Sequence, residues 1–210
     1  MLSQDVVAGN ESVRVKNRTA RWLTEVFQPP VVVSLQLLIS PLAQAGFPGT
    51  MGYGALAALF VCVLPLVVLL VLVRLGKVTD HHVSDRKQRA PVLLMALGCI
   101  ALGLLVLRAV DAPQSVIAMV LAVVGGVAVL AVVSPFWKMS GHAAAVSCAA
   151  VVAVLMLGTA WTPLLLLIPA VGWSRVVLRA HSPAQVVAGS LFGGLVMAGI
   201  WWVLQGWLLG

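Results

Sequence analysis

Three short polar stretches hold most of the chemistry this 210-residue chain could perform. The first, Asp85-Arg86-Lys87-Gln88-Arg89-Ala90-Pro91, sets Arg86 and Arg89 three residues apart, so on a helix they share a face. Two guanidiniums on one face can grip a phosphate bidentately. The second, Met139-Ser140-Gly141-His142, abuts an apolar run that begins at Ala143. Ser140 is a good helix N-cap, and the free N–H groups of the turn after it, with the helix dipole, make an anion site at Ser140 and Gly141. His142, on that first turn, can give or take a proton beside a bound anion. The third stretch holds Ser174-Arg175, then His181, then Gln185. Gln185 follows His181 by four residues, close enough for its carbonyl to hold an imidazole N–H, and Ser182-Pro183 reads as a cap followed by proline at the first helical position. Each stretch also has an ordinary reading. A basic loop can lie against anionic lipid head groups, and a Ser cap can sit beside a snorkelling histidine.

The elements that must carry these loops are membrane spans. The chain is 61% hydrophobic and 9% charged, with a mean hydropathy of +1.09, far outside the range of soluble domains. Apolar stretches long enough to cross a bilayer recur near 30–46, 53–75, 91–109, 115–134, 143–161, 163–178 and 184–207. The expected fold is therefore all-α, a polytopic transmembrane bundle of six or seven spans. The first stretch is the weakest, because Pro41 interrupts it and Gln36 and Gln44 lie within it. Residues 1–28 form a basic N-terminal segment with no short apolar core of a secretory signal, and 29–210 form one transmembrane domain. Cys62, Cys99 and Cys148 fall inside separate spans and read as buried thiols.

Charge placement orients the bundle. Of the thirteen Lys and Arg residues, only Arg108 falls on one side of a seven-span topology. Arg14, Lys16, Arg18, Arg21, Arg74, Lys77, Arg86, Lys87, Arg89, Lys138, Arg175 and Arg179 fall on the other, with His81, His82, His142 and His181. The positive-inside rule makes that side cytoplasmic. The three polar stretches thus share one face of the membrane.

Met139-Ser140-Gly141-His142 and the Ser174-Arg175…His181…Gln185 pattern resemble the second and third motifs of the type 2 phosphatidic acid phosphatase (PAP2) superfamily. Those motifs are Pro-Ser-Gly-His and Ser-Arg, five residues, His, three residues, Asp. Met139 stands in place of the proline. The family's first motif, Lys, six residues, Arg-Pro, is absent at that spacing. Asp85 to Pro91 is similar to the variant Asp-Arg-x-x-Arg form instead, which carries over Arg86 and Arg89 and leaves Lys77 or Lys87 for the lysine. Gln185 replaces the aspartate, and glutamine there is similar to the dolichyl-diphosphatase branch.

The resemblance implies a metal-independent, cofactor-free phosphatase in the cell membrane. His181 would be the nucleophile and His142 the general acid and base, with Gln185 orienting His181. Arg86, Lys87, Arg89, Ser140, Gly141 and Arg175 would bind the phosphate. The implied partners are the bilayer and a lipid phosphate such as a polyprenyl diphosphate, with no nucleic acid. A catalytically degenerate relative that binds or moves lipid phosphates is the alternative, favoured by Gln185 and the irregular first motif. A Mg²⁺-dependent prenyl or phosphoalcohol transferase needs clustered carboxylates, and this chain has six acids in all. Gly189 and Gly193 form a small-xxx-small face for close helix packing within the chain, and most of the seven tryptophans lie near span ends as interfacial anchors.

Overall fold

A computed structural model of the protein describes residues 15–46, 48–79 and 86–209, apart from the side chains of Arg86, Leu208 and Leu209. Every regular element among them is helical. Helix α1 (Val15–Val26) meets α2 (Pro29–Ile39) and its 3₁₀ extension (Ser40–Ala43) at a bend of 42°. Five helices are long and apolar enough to cross a membrane: α3 (Met51–Arg74), α4 (Lys87–Ala109, entered at Arg86), α5 (Gln114–Val133), α7 (Thr159–Val177) and α8 (Pro183–Trp207). The α1–α2 pair would make a sixth, broken span. Between α5 and α7 stands the shorter α6 (Gly141–Leu157).

Several boundaries differ from the sequence expectation for identifiable reasons. The 30–46 stretch is an α-helix only to Ile39, because Pro41 has no N–H to continue the ladder and Ser40 Oγ bonds back to Leu37 O at 2.7 Å. Helix α4 starts five residues before Pro91, which it tolerates inside its second turn. The chain reverses at Gly158 (φ +94°), inside the expected 143–161 stretch, and α7 begins there as a 3₁₀ helix over Thr159–Leu166. At 17 residues, α6 is about 25 Å long, near the lower limit for a span.

Two helices organise the packing. Helix α5 lies between α4 and the C-terminal half of α8, and the run Val116 to Val120 is at most 1% exposed. Helix α6 is enclosed by α2, α7 and α8, and its residues Ala143 to Cys148 are all buried. The closest approach is between α6 and α8. A Cβ added to Gly193 would lie 2.0 Å from Ala144 O, and one on Gly189 2.4 Å from Ser140 O. The glycine face expected from Gly189-x-x-x-Gly193 therefore packs within the chain, and no other residue type fits against those carbonyls. Outward-facing side chains are strongly apolar: Leu105, Val132, Leu166 and Leu195 are each about 70% exposed. Such a surface suits lipid rather than water. Among the tryptophans, Trp201 departs from the anchor pattern, being 2% exposed in the core.

Candidate active site

Four helix ends meet at one end of the bundle. Ser140 caps α6 as expected, its Oγ accepting the Ala143 N–H at 3.4 Å. Its backbone N–H donates to Gln185 O at 3.2 Å, so the start of α6 is tied to the first turn of α8. Beyond Gly141, the first residue of α6, a Cβ would meet nothing within 4 Å, so the helix mouth is open. His142 follows on the same turn and is half-buried.

His181 stands in the short link from α7 to α8. Helix α7 ends in a Schellman turn, with Ala180 N–H bonding Arg175 O at 3.0 Å, Arg179 N–H bonding Val176 O at 2.9 Å, and Arg179 at φ +52°. That reversal lets the link fold back towards Lys138. Helix α8 then opens with a complete capping box. Gln185 N–H donates to Ser182 Oγ at 3.3 Å, and Ser182 N–H donates to Gln185 Oε1 at 3.2 Å.

The same Gln185 oxygen lies 3.2 Å from His181 Nδ1, and Lys138 O approaches that nitrogen at 3.2 Å as well. A backbone carbonyl only accepts, and the Gln185 oxygen is fixed as an acceptor by Ser182 N–H. The proton of a neutral His181 therefore sits on Nδ1, which leaves the lone pair on Nε2. Burial pushes the imidazole down to about 4, with further lowering from the positive charges of Lys138 and Arg175. The bonds from Gln185 and Lys138 O act the other way. His181 is thus neutral at physiological pH.

The surroundings are cationic. Burial, then the charges of Arg89 and Arg175, hold the Lys138 ammonium below the usual lysine range. Arg175, half-buried, donates from Nη1 to Thr24 Oγ1 at 3.3 Å, and its Nε is buried without a protein partner among the described residues. No three His, Cys, Asp or Glu side chains converge among the described residues. The arrangement has the chemistry of an anion site with a neutral imidazole inside it.

The structure thus brings together His181, Gln185, Ser140, Arg175 and Arg89, with Gly141 and His142 on the adjoining turn. Arg86 starts α4 one turn before Arg89, as the spacing required, but its side chain lies outside the described residues. Asp80, His81, His82 and Asp85 lie outside them too. Lys87, two residues from Arg89, is turned from it by about 200° around the helix, and it lines a groove with Lys77, Gln88 and Pro91. Thr79 pins that groove's edge, its N–H and Oγ1 each 3.0 Å from Gln88 Oε1. Two participants were missed in the sequence. Lys138 counted only as a topogenic charge, although it immediately precedes Met139-Ser140-Gly141-His142. Thr24 carried no signal at all.

A PAP2 superfamily model matches residues 58–208, well over half of the chain. The chain belongs to the PAP2 superfamily. It is a multi-pass membrane protein of a family of metal-independent phosphatases. No curated protein and no solved structure matches it. The matched region contains all the clustered residues except Thr24, which lies in α1.

Proposed function

We propose that this PAP2 protein hydrolyses a lipid phosphate through a phosphohistidine on His181, with polyprenyl diphosphates as the substrate class. The observation that carries the reading is the pair of acceptors on His181 Nδ1, which leaves the lone pair on Nε2 of a neutral imidazole that feels the charges of Lys138 and Arg175. Gln185, shared with the dolichyl-diphosphatase pattern, is the support for the polyprenyl class.

In the first step His181 Nε2 attacks phosphorus, and the bond to the leaving oxygen breaks as His142 protonates that oxygen. With a diphosphate, the leaving group is the lipid monophosphate. In the second step His142 takes a proton from water, the water oxygen bonds phosphorus, and the N–P bond returns its electrons to His181. Arg175, Arg89, Lys138 and the Gly141 N–H would offset charge on the equatorial oxygens. The lipid tail would remain among the spans, which is why the polar turn at Ser140 begins an apolar helix.

The decisive experiment is phosphate release by purified protein from farnesyl diphosphate and from a phosphatidic acid, in excess EDTA. Release from farnesyl diphosphate without added metal is the expected result. Activity that disappears in EDTA and returns with Mg²⁺ would sink the histidine mechanism. No release from either lipid, with lipid phosphate still bound, would select the non-catalytic carrier. The site is proposed to face the cytoplasm on the charge argument. In a cysteine-free background, Arg179→Cys should react with an impermeant thiol reagent only in inverted vesicles, and Asp111→Cys only in intact cells. The opposite labelling would place the site outside.

A further inference from the structure

We infer that Thr24, on a helix outside the superfamily match, is a positioning residue that sets the Arg175 guanidinium for the phosphate. This rests on the phosphate-site reading above.

The hydrogen bonds have only one consistent direction. Ser174 Oγ lies 2.7 Å from Val171 O, and a carbonyl only accepts, so the single Ser174 proton is used there. At 3.1 Å from Thr24 Oγ1, Ser174 must then be the acceptor, and the Thr24 proton points at it. That leaves the Thr24 lone pairs for Arg175 Nη1–H, 3.3 Å away. The chain runs Arg175 to Thr24 to Ser174 to Val171 O, each hydroxyl giving once and receiving once. Thr24 is 4% exposed and Ser174 0%, so water does not replace either partner.

The consequence falls on the rest of the guanidinium. One Nη1 hydrogen goes to Thr24, and the Nε–Nη2 edge is a bidentate face for an anion that this bond leaves untouched. Arg175 Nε is the group that is buried and lacks a protein partner. A phosphate oxygen is the ligand chemistry that would satisfy it. The adjacent Glu25 carboxylate acts electrostatically on the same guanidinium and is itself held by Gln28. Helix α1, otherwise polar and basic, thus contributes a fixed contact to the binding machinery rather than a topogenic tail alone.

The test uses the full chain and two readouts, affinity for inorganic phosphate and phosphate release from farnesyl diphosphate. Thr24→Val keeps the shape and removes the hydroxyl, and phosphate affinity should fall about tenfold. Thr24→Ser should recover it to within about twofold, and Thr24→Val should add nothing once Arg175 is alanine. If the valine variant does not fold, Thr24→Ala supplies the same comparison. Unchanged affinity in the hydroxyl-deleted variants would overturn the proposal, as would an equal loss in the Arg175→Ala background, which would mean that Thr24 only anchors α1. Wild-type protein that binds phosphate yet releases none would sink the phosphatase reading while the affinities still decide the role of Thr24. Wild-type protein that binds no phosphate overturns both.

Discussion

The carboxamide oxygen of Gln185 lies 3.2 Å from His181 Nδ1 and, in the same position, accepts the Ser182 N–H at 3.2 Å. One side chain therefore closes the capping box of α8 and orients the His181 imidazole. In the serine-protease triad, replacing the aspartate by asparagine loses about four orders of magnitude because the imidazole adopts the wrong tautomer. Here the Lys138 carbonyl meets the same nitrogen, and it cannot donate. The tautomer is held without a carboxylate.

Two substitutions at Gln185 follow from that arrangement. Gln185→Leu removes one of two acceptors, so kcat/KM should fall roughly tenfold, the worth of one hydrogen bond. A loss of four orders would show that Lys138 O does not hold the tautomer. Gln185→Glu keeps the length and both bonds and adds a charge that stabilises the imidazolium. Activity near neutral pH should persist or rise, and the acid limb of kcat/KM should move up by roughly one to three units. Gln185→Asp is the weaker mimic, being one methylene too short for the cap.

The pH profile tests the cationic cluster. With His181 at about 4, about 90% of it is neutral at pH 5, against about 3% at the ordinary histidine value of ~6.5. Since protonation removes the nucleophilic lone pair, activity should be retained at pH 5 and lost as pH falls through the lowered value. Lys138→Met deletes one depressing charge but keeps the carbonyl acceptor. The acid limb of kcat/KM should then shift to higher pH, and an unmoved limb would show that Lys138 does not act on His181.

The two histidines should separate by leaving group. His181→Ala should abolish turnover and any acid-labile phosphoenzyme. His142→Ala should slow phosphoenzyme formation from a lipid phosphate by about two to four orders of magnitude, and should slow first-turnover release of p-nitrophenolate far less, because p-nitrophenolate leaves without a proton. Equal losses in this first step on both substrates would remove His142 from the general-acid role.

What was legible in the sequence follows the range of each interaction. Hydropathy located the long spans, because lipid exposure is written residue by residue. Local chemistry was legible too: the Ser140 and Ser182 caps and the reach of Gln185 to His181 each act within four residues. The Ser182-x-x-Gln185 capping box had a readable signature of the same kind, yet its significance emerged only with the shared oxygen. Thr24 could not be read, since its partners are 150 and 151 positions away. The Schellman turn was hidden by its occupant, because Arg179 takes the left-handed position that glycine usually marks. Lys138 was visible as a charge, but its carbonyl matters as much as its ammonium, and main-chain contacts between distant loops leave no residue-type signal.

The last prediction concerns the contact that brings the loops together. Gly189 lies under Ser140 O and Gly193 under Ala144 O, and one turn above them Ser140 N–H meets Gln185 O. A methyl at either glycine would press on a main-chain carbonyl, which cannot rotate away as a side chain can, so α6 and α8 must separate. Overpacking of this kind costs about 1–3 kcal/mol, and the separation opens at the level of the Ser140 turn. Gly189→Ala should therefore lower thermal stability and reduce kcat/KM together. Gly193→Ala, two turns below Gln185, should destabilise at least as much but disturb the site less per degree of melting temperature lost. Gly199→Ala on the same helix is the control, because a Cβ there meets nothing within 4 Å, and it should leave both measurements unchanged. Full activity in a folded Gly189→Ala variant would show that the α6–α8 approach does not set the distance between the Ser140 turn and His181.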